Sequence, residues 1–332
     1  MRINIGIIGV GGIAHAHLLA YTQNSNIKEI YIADENEHAL QYAQEKYPKI
    51  RKAYKDYREM IEEAPIQLVD ICTPHYLHYP MAIHSLKAGK DVVCEKPIAM
   101  NLKEADEMIE TARKMGHWLF ISMNQRFMPY HKKAKKMIDE GVIGRPFLAV
   151  FNIMGNEFSR MNDPHHWKGS WEKAGGGAMI DTGYHAIYMM LHFFGKPKAV
   201  TAVAKRLVVE PENKGDDNTV AILEFDEKVL GTIAISYTVL SEAWQEMRHI
   251  YGTEGSIHIK DDLNEPLVLV KENKPIVVEI GPIEDSVKLA LDHFIDCLLR
   301  DKEPEVKPEE ARDALEVCLA IYEASKKEKV YV

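Results

Sequence analysis

Ile3-Asn4-Ile5-Gly6-Ile7-Ile8-Gly9-Val10-Gly11-Gly12-Ile13-Ala14 is the stretch on which the fold turns. Ile3 to Ile8 is a continuous apolar run of the kind buried on both faces of a parallel sheet. Gly9, Gly11 and Ala14 then fit G-x-G-x-x-G/A, and a helical stretch runs on through Tyr21. The first glycine permits a tight turn and the second lets backbone approach a pyrophosphate. The small third residue lets the helix pack closely on its strand. Gly9, Gly11, Gly12, Ile13 and Ala14 are therefore the expected dinucleotide contacts, with the phosphates on the N–H groups and positive dipole of the helix start. A second strand follows from Ile27 and ends in Asp34, 20 residues beyond Ala14. A carboxylate there accepts bonds from an adenosine ribose and repels a 2′-phosphate, so NAD is expected over NADP. A glycine-rich turn alone also caps ordinary strands. The order strand, glycines, helix, strand, acid is what carries the reading. His15 and His17 lie two residues apart on the first helix and do not share a face. Surface or cofactor-edge positions are expected for them, not a metal site.

Outward from this stretch the alternation continues. Residues 37–47 and 56–63 read as helices, 67–72 as strand, 81–88 as a helix closed by Gly89, 92–94 as strand, 102–115 as helix and 118–122 as a last strand. This βαβ rhythm implies a doubly wound parallel sheet over residues 1–122. Its strand ends gather Gly9, Asp34, Thr73 and Glu95 on one rim, where open α/β sheets bind ligands. In Asp91-Val92-Val93-Cys94-Glu95-Lys96-Pro97 the proline stops the strand. Glu95 and Lys96 are left at the carboxyl-terminal edge, and Lys96 is expected to meet both a nicotinamide ring and a sugar hydroxyl.

Composition narrows the function classes. The chain has 332 residues, room for two domains, and is 46% hydrophobic and 27% charged, as a soluble globular protein is. A net charge of -9 argues against nucleic acid or an anionic membrane surface as partner. No apolar stretch approaches the roughly 20 residues that span a bilayer. The four cysteines, at 72, 94, 297 and 318, have no C-x-x-C spacing and fit reduced thiols, so a cytoplasmic location is expected.

From residue 123 the pattern changes. A helix is expected over 128–141, a strand over 147–154, and then an irregular segment, 155–173, that holds Asn156, His165, His166, Trp167 and Trp171. Long loops of this kind are usually functional. Gly175-Gly176-Gly177 opens a helix running to Phe194. Asp181 and His185 stand at i,i+4 on it, so an acid lies beside an imidazole on one face, which suits a general base. Consecutive strands over 200–209, 220–225, 229–237, 246–251 and 255–260, with hairpin turns at 213–216 and 226–228, imply an antiparallel sheet whose second face could bury a partner subunit. Two helices, 289–299 and 309–326, close the chain. The scattered histidines have no metal-ligand spacing, and no metal is expected.

The succession Gly-Val-Gly-Gly-Ile-Ala at 9–14, Cys-Thr-Pro-His-Tyr-Leu-His at 72–78, Glu95-Lys96-Pro97, Asn-Gln-Arg-Phe at 124–127 and Gly-Gly-Gly-Ala-Met-Ile-Asp-Thr-Gly-Tyr-His at 175–185 strongly resembles the Gfo/Idh/MocA oxidoreductases. The resemblance covers nearly the whole chain. It implies an N-terminal Rossmann domain and, over 123–332, a substrate-binding α+β domain with a large open, mainly antiparallel sheet that serves homodimer or homotetramer contacts. It implies hydride transfer between NAD(P) and a sugar, cyclic polyol or sugar derivative. Carried over by residue, it places the cofactor on Thr73, Pro74, His75, His78, Glu95, Lys96, Pro97 and Asn124, and catalysis on Lys96, Asp181 and His185. Asp181 would orient His185 and bind a neighbouring hydroxyl. Arg126, Asn156, Trp167 and Tyr184 are further expected substrate contacts. His75 stands where many members have asparagine, and Tyr188 where an aspartate is frequent. Two other readings fit the same fold: an NAD-dependent glycosidase using transient oxidation, and a non-catalytic NAD- and sugar-binding regulator. The regulator should lack the catalytic residues that are present here.

Overall fold

All six residues of β1 (Ile3–Ile8) are buried, as a strand sandwiched between helices must be. The computed structural model describes residues 2–210, 215–226, 228–241, 244–260, 262 and 264–327. They divide into two compact units, Met1–Asn124 with Glu284–Arg312, and Gln125–Ile283 with Asp313–Val332.

The first unit runs β1, α1 (Gly12–Gln23), β2 (Ile27–Ala33), α2 (Glu37–Lys46), β3 (Ile50–Tyr54), α3 (Tyr57–Glu63), β4 (Leu68–Ile71), α4 (His78–Lys87), β5 (Asp91–Glu95), α5 (Leu102–Met115) and β6 (Leu119–Ser122). Among the described residues its six strands are ordered β3-β2-β1-β4-β5-β6, and every neighbouring pair is parallel. The strand order reverses beside β1, between β1–β2 and β1–β4, which is the switch point of a doubly wound sheet. Capping follows sequence: Asn36, Asp56 and Asn101 each accept helix-start amides of α2, α3 and α5, and Gly116 ends α5 in the left-handed region. β3 is an unexpected strand, added at the sheet edge.

The second unit holds α6 (Pro129–Asp139), β7 (Pro146–Met154), the short helices α7 (Phe158–Asn162) and α8 (Trp171–Ala174), and α9 (Tyr184–Phe194). Then come β8 (Ala199–Lys205), β9 (Asn218–Asp226), β10 (Val229–Ser236), β11 (Gln245–Gly252), β12 (Gly255–Lys260), β13 (Leu267–Lys271) and β14 (Lys274–Val277). Among the described residues these form an eight-stranded sheet, β14-β13-β12-β11-β7-β10-β9-β8. It is antiparallel except where β7 meets β10 in parallel. β13 and β14 lie beyond the expected strands. Asn213, Lys214 and Glu227 of the two expected turns lie outside the described residues. α10 (Ser286–Arg300) belongs to the first unit and α11 begins at Pro308 and ends at Ser325. No helix among the described residues is long and apolar enough to cross a membrane.

Candidate active site

The glycine turn of the first unit is built for an anion. Gly9 leaves β1 at φ +85°, and a side chain there would start 2.8 Å from the Cys72 carbonyl oxygen, so only glycine passes over the end of β4. Gly11 caps α1 without a side-chain hydrogen bond. Among the described residues, nothing beyond chain neighbours and the helix's own backbone lies within 4 Å of where a side chain on Gly11 or Gly12 would begin. No acidic residue stands in the first turn of α1 to offset the positive end of its dipole. Ile13 is exposed, and Ala14 is fully buried against the sheet. Asp34, just past β2, accepts from the Val10 amide at 2.6 Å and from the Asn36 amide at 2.8 Å, which ties the turn to the acid. On the same rim the Thr73 hydroxyl is buried with no hydrogen-bond partner among the described residues. An amide cradle, a carboxylate at the second strand's end and an uncommitted hydroxyl fit the phosphates and ribose of NAD.

Pro74 and His75 follow Thr73 in the turn after β4, and His75 is buried. His78 is fully buried, with Nδ1 2.7 Å from the Pro97 carbonyl and Nε2 2.9 Å from the Thr73 carbonyl. It braces the two turns from inside. Burial, resisting charge, holds its pKa below the ordinary histidine value. Lys96 is half-buried just past β5, and its peptide bond to Pro97 is cis. The Asn124 amide donates to Ser286 Oγ at 2.8 Å.

The expectation for His17 is corrected. It is fully buried, with Nδ1 2.7 Å from Asp70 and Nε2 3.1 Å from Glu95. The physical reason is the arrival of two strand-borne acids on the buried side of α1. Burial alone would lower its pKa, but Asp70 raises it well above the ordinary histidine value. Burial would likewise raise the Glu95 carboxyl, yet His17 and Lys96 hold it down to about 2. The donor atoms of His17, Asp70 and Cys72 lie within 4.8 Å of one another. Both ring nitrogens face carboxylates and burial pushes the Cys72 thiol up to about 12, so the group is a hydrogen-bonded ion cluster. His15 is half-buried, its ring between Tyr42 and Tyr47.

In the second unit the triple glycine leads into a π-helical turn, Met179–Gly183, before α9 begins. Winding of this kind concentrates at functional sites. Asp181 and His185 stand on either side of the change from π to α winding, so their relation is not the plain i,i+4 offset of an α-helix. Asp181 accepts from the Tyr237 hydroxyl at 2.6 Å and pairs with Lys168 Nζ at 2.9 Å. Nδ1 of half-buried His185 lies 2.7 Å from the Tyr188 hydroxyl. Behind it the Gln125 amide donates to Tyr188 at 3.2 Å, and the Gln125 side chain donates to Glu246 at 3.1 Å. Arg248 completes the chain, donating to Glu246 at 2.5 Å and to Gln125 at 2.6 Å. Burial would raise the Glu246 carboxyl, but Arg248 and His185 bring it below its usual value.

Of the other expected substrate contacts, Arg126 and Tyr184 are buried, Tyr184 packing edge-on against Tyr188. Asn156 is exposed and its side chain accepts from the Phe158 amide. Trp167 is half-buried, with Lys168 Nζ 5.9 Å from its ring centre. Sequence reasoning missed Lys168, Tyr237, Glu246 and Arg248. Lys168 sits in the loop singled out at 155–173, where aperiodic sequence offers no spacing to read. Glu246 and Arg248 sit two apart on β11 and share a face, a signal that strand alternation does carry.

A doubly wound sheet whose glycine turn awaits a pyrophosphate, with an acid after its second strand and Lys96 after its fifth, defines an NAD-binding oxidoreductase. Family models agree along the chain: the oxidoreductase family's NAD-binding Rossmann fold matches residues 3–123, and its C-terminal alpha/beta domain matches residues 135–332. The protein belongs to the Gfo/Idh/MocA oxidoreductase family. Myo-inositol 2-dehydrogenase of Thermotoga maritima is 29% identical over 94% of this chain and 93% of its own length. scyllo-Inositol 2-dehydrogenase (NAD(+)) of Bacillus subtilis is 28% identical over 96% of this chain and 93% of its own. The solved structure of a levoglucosan dehydrogenase in complex with NADH has the same fold, with a TM-score of 0.88 and 23% identity over 98% of this chain and 97% of that one.

Proposed function

We propose that this enzyme transfers a hydride between NAD and a carbinol carbon of a sugar, cyclic polyol or sugar derivative. The observation that carries the reading is the position of Glu95-Lys96-Pro97 at the carboxyl end of β5, on the same rim as the anion-ready turn after β1. The relatives named for inositols and the fold neighbour named for levoglucosan support a polyhydroxylated ring as substrate. NAD, when bound, supplies the hydride acceptor or donor at its nicotinamide.

The protein's own groups handle the proton and the oxygen. Residues 1–122 hold the nucleotide, and residues 123–332 carry the substrate groups. Lys96 hydrogen-bonds the reacting oxygen and stabilises charge that develops on it. His185 takes the hydroxyl proton in oxidation and returns it in reduction, with Tyr188 steadying Nδ1. Asp181, its charge balanced by Lys168 and its orientation held by Tyr237, receives a neighbouring substrate hydroxyl. Trp167 offers an aromatic face to a sugar ring. The bare face of the eight-stranded sheet joins subunits into a homodimer or homotetramer, and the free buried cysteines suit a reducing cytoplasm.

The test is NADH formation across a panel of inositols, aldoses and anhydrosugars, with Lys96→Ala alongside. Turnover of one substrate class that falls by at least about 100-fold in the variant, with NAD binding intact, is the expected result. Silence across the panel from protein that still binds NAD would overturn the dehydrogenase reading in favour of a glycosidase or a regulator.

A further inference from the structure

We propose that His17 is a positioning residue for the hydride-transfer site: its ring bridges Asp70 and Glu95, and through the Glu95 carboxylate it sets where Lys96 stands. The inference rests on the role given to Lys96 above.

The β5–β6 ladder ends at Glu95, which pairs with Ser122, so Lys96 is the first residue that no strand register fixes. Side-chain contacts hold the chain there instead. The Pro97 carbonyl meets buried His78, and the Lys96 amide donates to Glu95 Oε2 at 3.3 Å. The other oxygen of Glu95, Oε1, lies 3.1 Å from His17 Nε2. The carboxylate is thus held at one oxygen by α1 and holds the Lys96 backbone with the other. Nδ1 of His17 is anchored in turn 2.7 Å from Asp70 on β4. One imidazole therefore ties together the helix whose start faces the phosphates, the strand before the Thr73 turn, and the strand that presents Lys96. Stability alone does not account for it, because a buried ion cluster is commonly no better than well-packed apolar side chains. What the cluster adds is a fixed direction for a catalytic strand end, where a displacement of about 1 Å can lower a rate by about 100-fold.

Two substitutions separate the ring's bonds. The amide nitrogen of asparagine takes the place of Nδ1 and reaches Asp70, whereas that of glutamine takes the place of Nε2 and reaches Glu95. His17→Asn is expected to lower kcat by about 10- to 100-fold. His17→Gln should stay within several-fold of wild type, and both should keep KM and NADH affinity within about threefold. An unchanged kcat in His17→Asn, or equal losses in both variants, would overturn the proposal. A readout that needs no substrate keeps it separate from the functional reading: the 15N shift of Lys96 Nζ in the NADH complex should move in His17→Asn and not in His17→Gln. The absence of such a difference overturns the positioning role even if no substrate is found. If His17→Asn fails to fold, 15N spectra of the wild-type histidines decide. Two hydrogen-bonded ring N–H groups on His17 through neutral pH support the bridge, and a ring nitrogen without its proton refutes it.

Discussion

Tyr188 stands where an aspartate is frequent in the family, and the difference reaches His185, the proposed base. A carboxylate beside Nδ1 would accept its proton and leave Nε2 to do the chemistry. A phenol can donate or accept, and Tyr188 already accepts the Gln125 amide at 3.2 Å. Its tie to His185 is therefore one link in a chain that ends at Glu246 and Arg248 on β11. Tyr188→Phe should lower kcat by about 10-fold or more and leave NADH affinity unchanged, as steady-state kinetics and a fluorescence titration would measure. Unaltered kcat would remove Tyr188 from the site's chemistry. At this scale the sequence was a partial guide. The types and spacing of Asp181 and His185 mark a candidate pair, but not the Tyr237 hydroxyl, 56 positions away, or Lys168, which come to Asp181 from other elements. His17 was misread for a related reason. Neighbouring Leu18, Leu19 and Ala20 give α1 no sharp apolar stripe, and only the approach of Asp70 and Glu95 makes its ring an interior group.

The glycine-led segment before α9 shows what an element owes to residues distant in sequence. The Asp216 carboxylate accepts from the amides of Gly177 and Met179 and from the hydroxyls of Thr219 and Tyr322. A side chain on Gly177 would start 1.9 Å from the Asp216 carbonyl oxygen. That crossing strand of chain, not conformational freedom, is why glycine is needed there. The triple glycine is legible as a close-approach signal, but the residue that approaches lies 39 positions further on. Tyr322→Phe removes a hydroxyl that donates to Asp216 and accepts from the Gly177 and Ile180 amides. It should destabilise the fold by about 1–3 kcal/mol in denaturant unfolding. Gly177→Ala should be worse, since backbone must move, and a variant as stable as wild type would refute the clamp. Two of the three strands missed from sequence, β3 and β14, have a common cause. β3 lies at the edge of its sheet with only Tyr54 of Ile-Arg-Lys-Ala-Tyr buried, and β14 is an exposed edge strand containing Pro275. Edges lack the alternation that betrays a half-buried strand, and charge and proline there protect against further pairing.

At the scale of the whole molecule, the proposed subunit contact falls on one face of the eight-stranded sheet. The cross-strand register puts Val203, Val220, Leu230, Met247 and His258 on the same side. Of these, Val203, Val220, Leu230 and Met247 are all more than two-fifths exposed, as is Ile222 beside them. A row of apolar side chains across adjoining strands is the surface that a second copy would cover. His249 and His258 sit on it as stacked rings, 4.3 Å between centres, with Tyr251 and Ser256 at their nitrogens and Lys260 nearby. Burial first, then Lys260 and, for His258, the neighbouring imidazole hold both pKa values below the ordinary histidine value. They are neutral at pH 7 and take up protons only in acid. In the proposed oligomer, covering the face would lower these values further, so the separated chains would bind more protons than the assembly and association would weaken as pH falls. Sedimentation velocity should therefore find an oligomer at neutral pH that dissociates progressively as the solution is made acidic. His249→Gln combined with His258→Gln should stay associated in acid, and Val220→Glu with Ile222→Lys should be monomeric at every pH. An oligomer untouched by the charged pair would place the interface elsewhere, and one that dissociates in acid without the two histidines would assign the pH response to other groups.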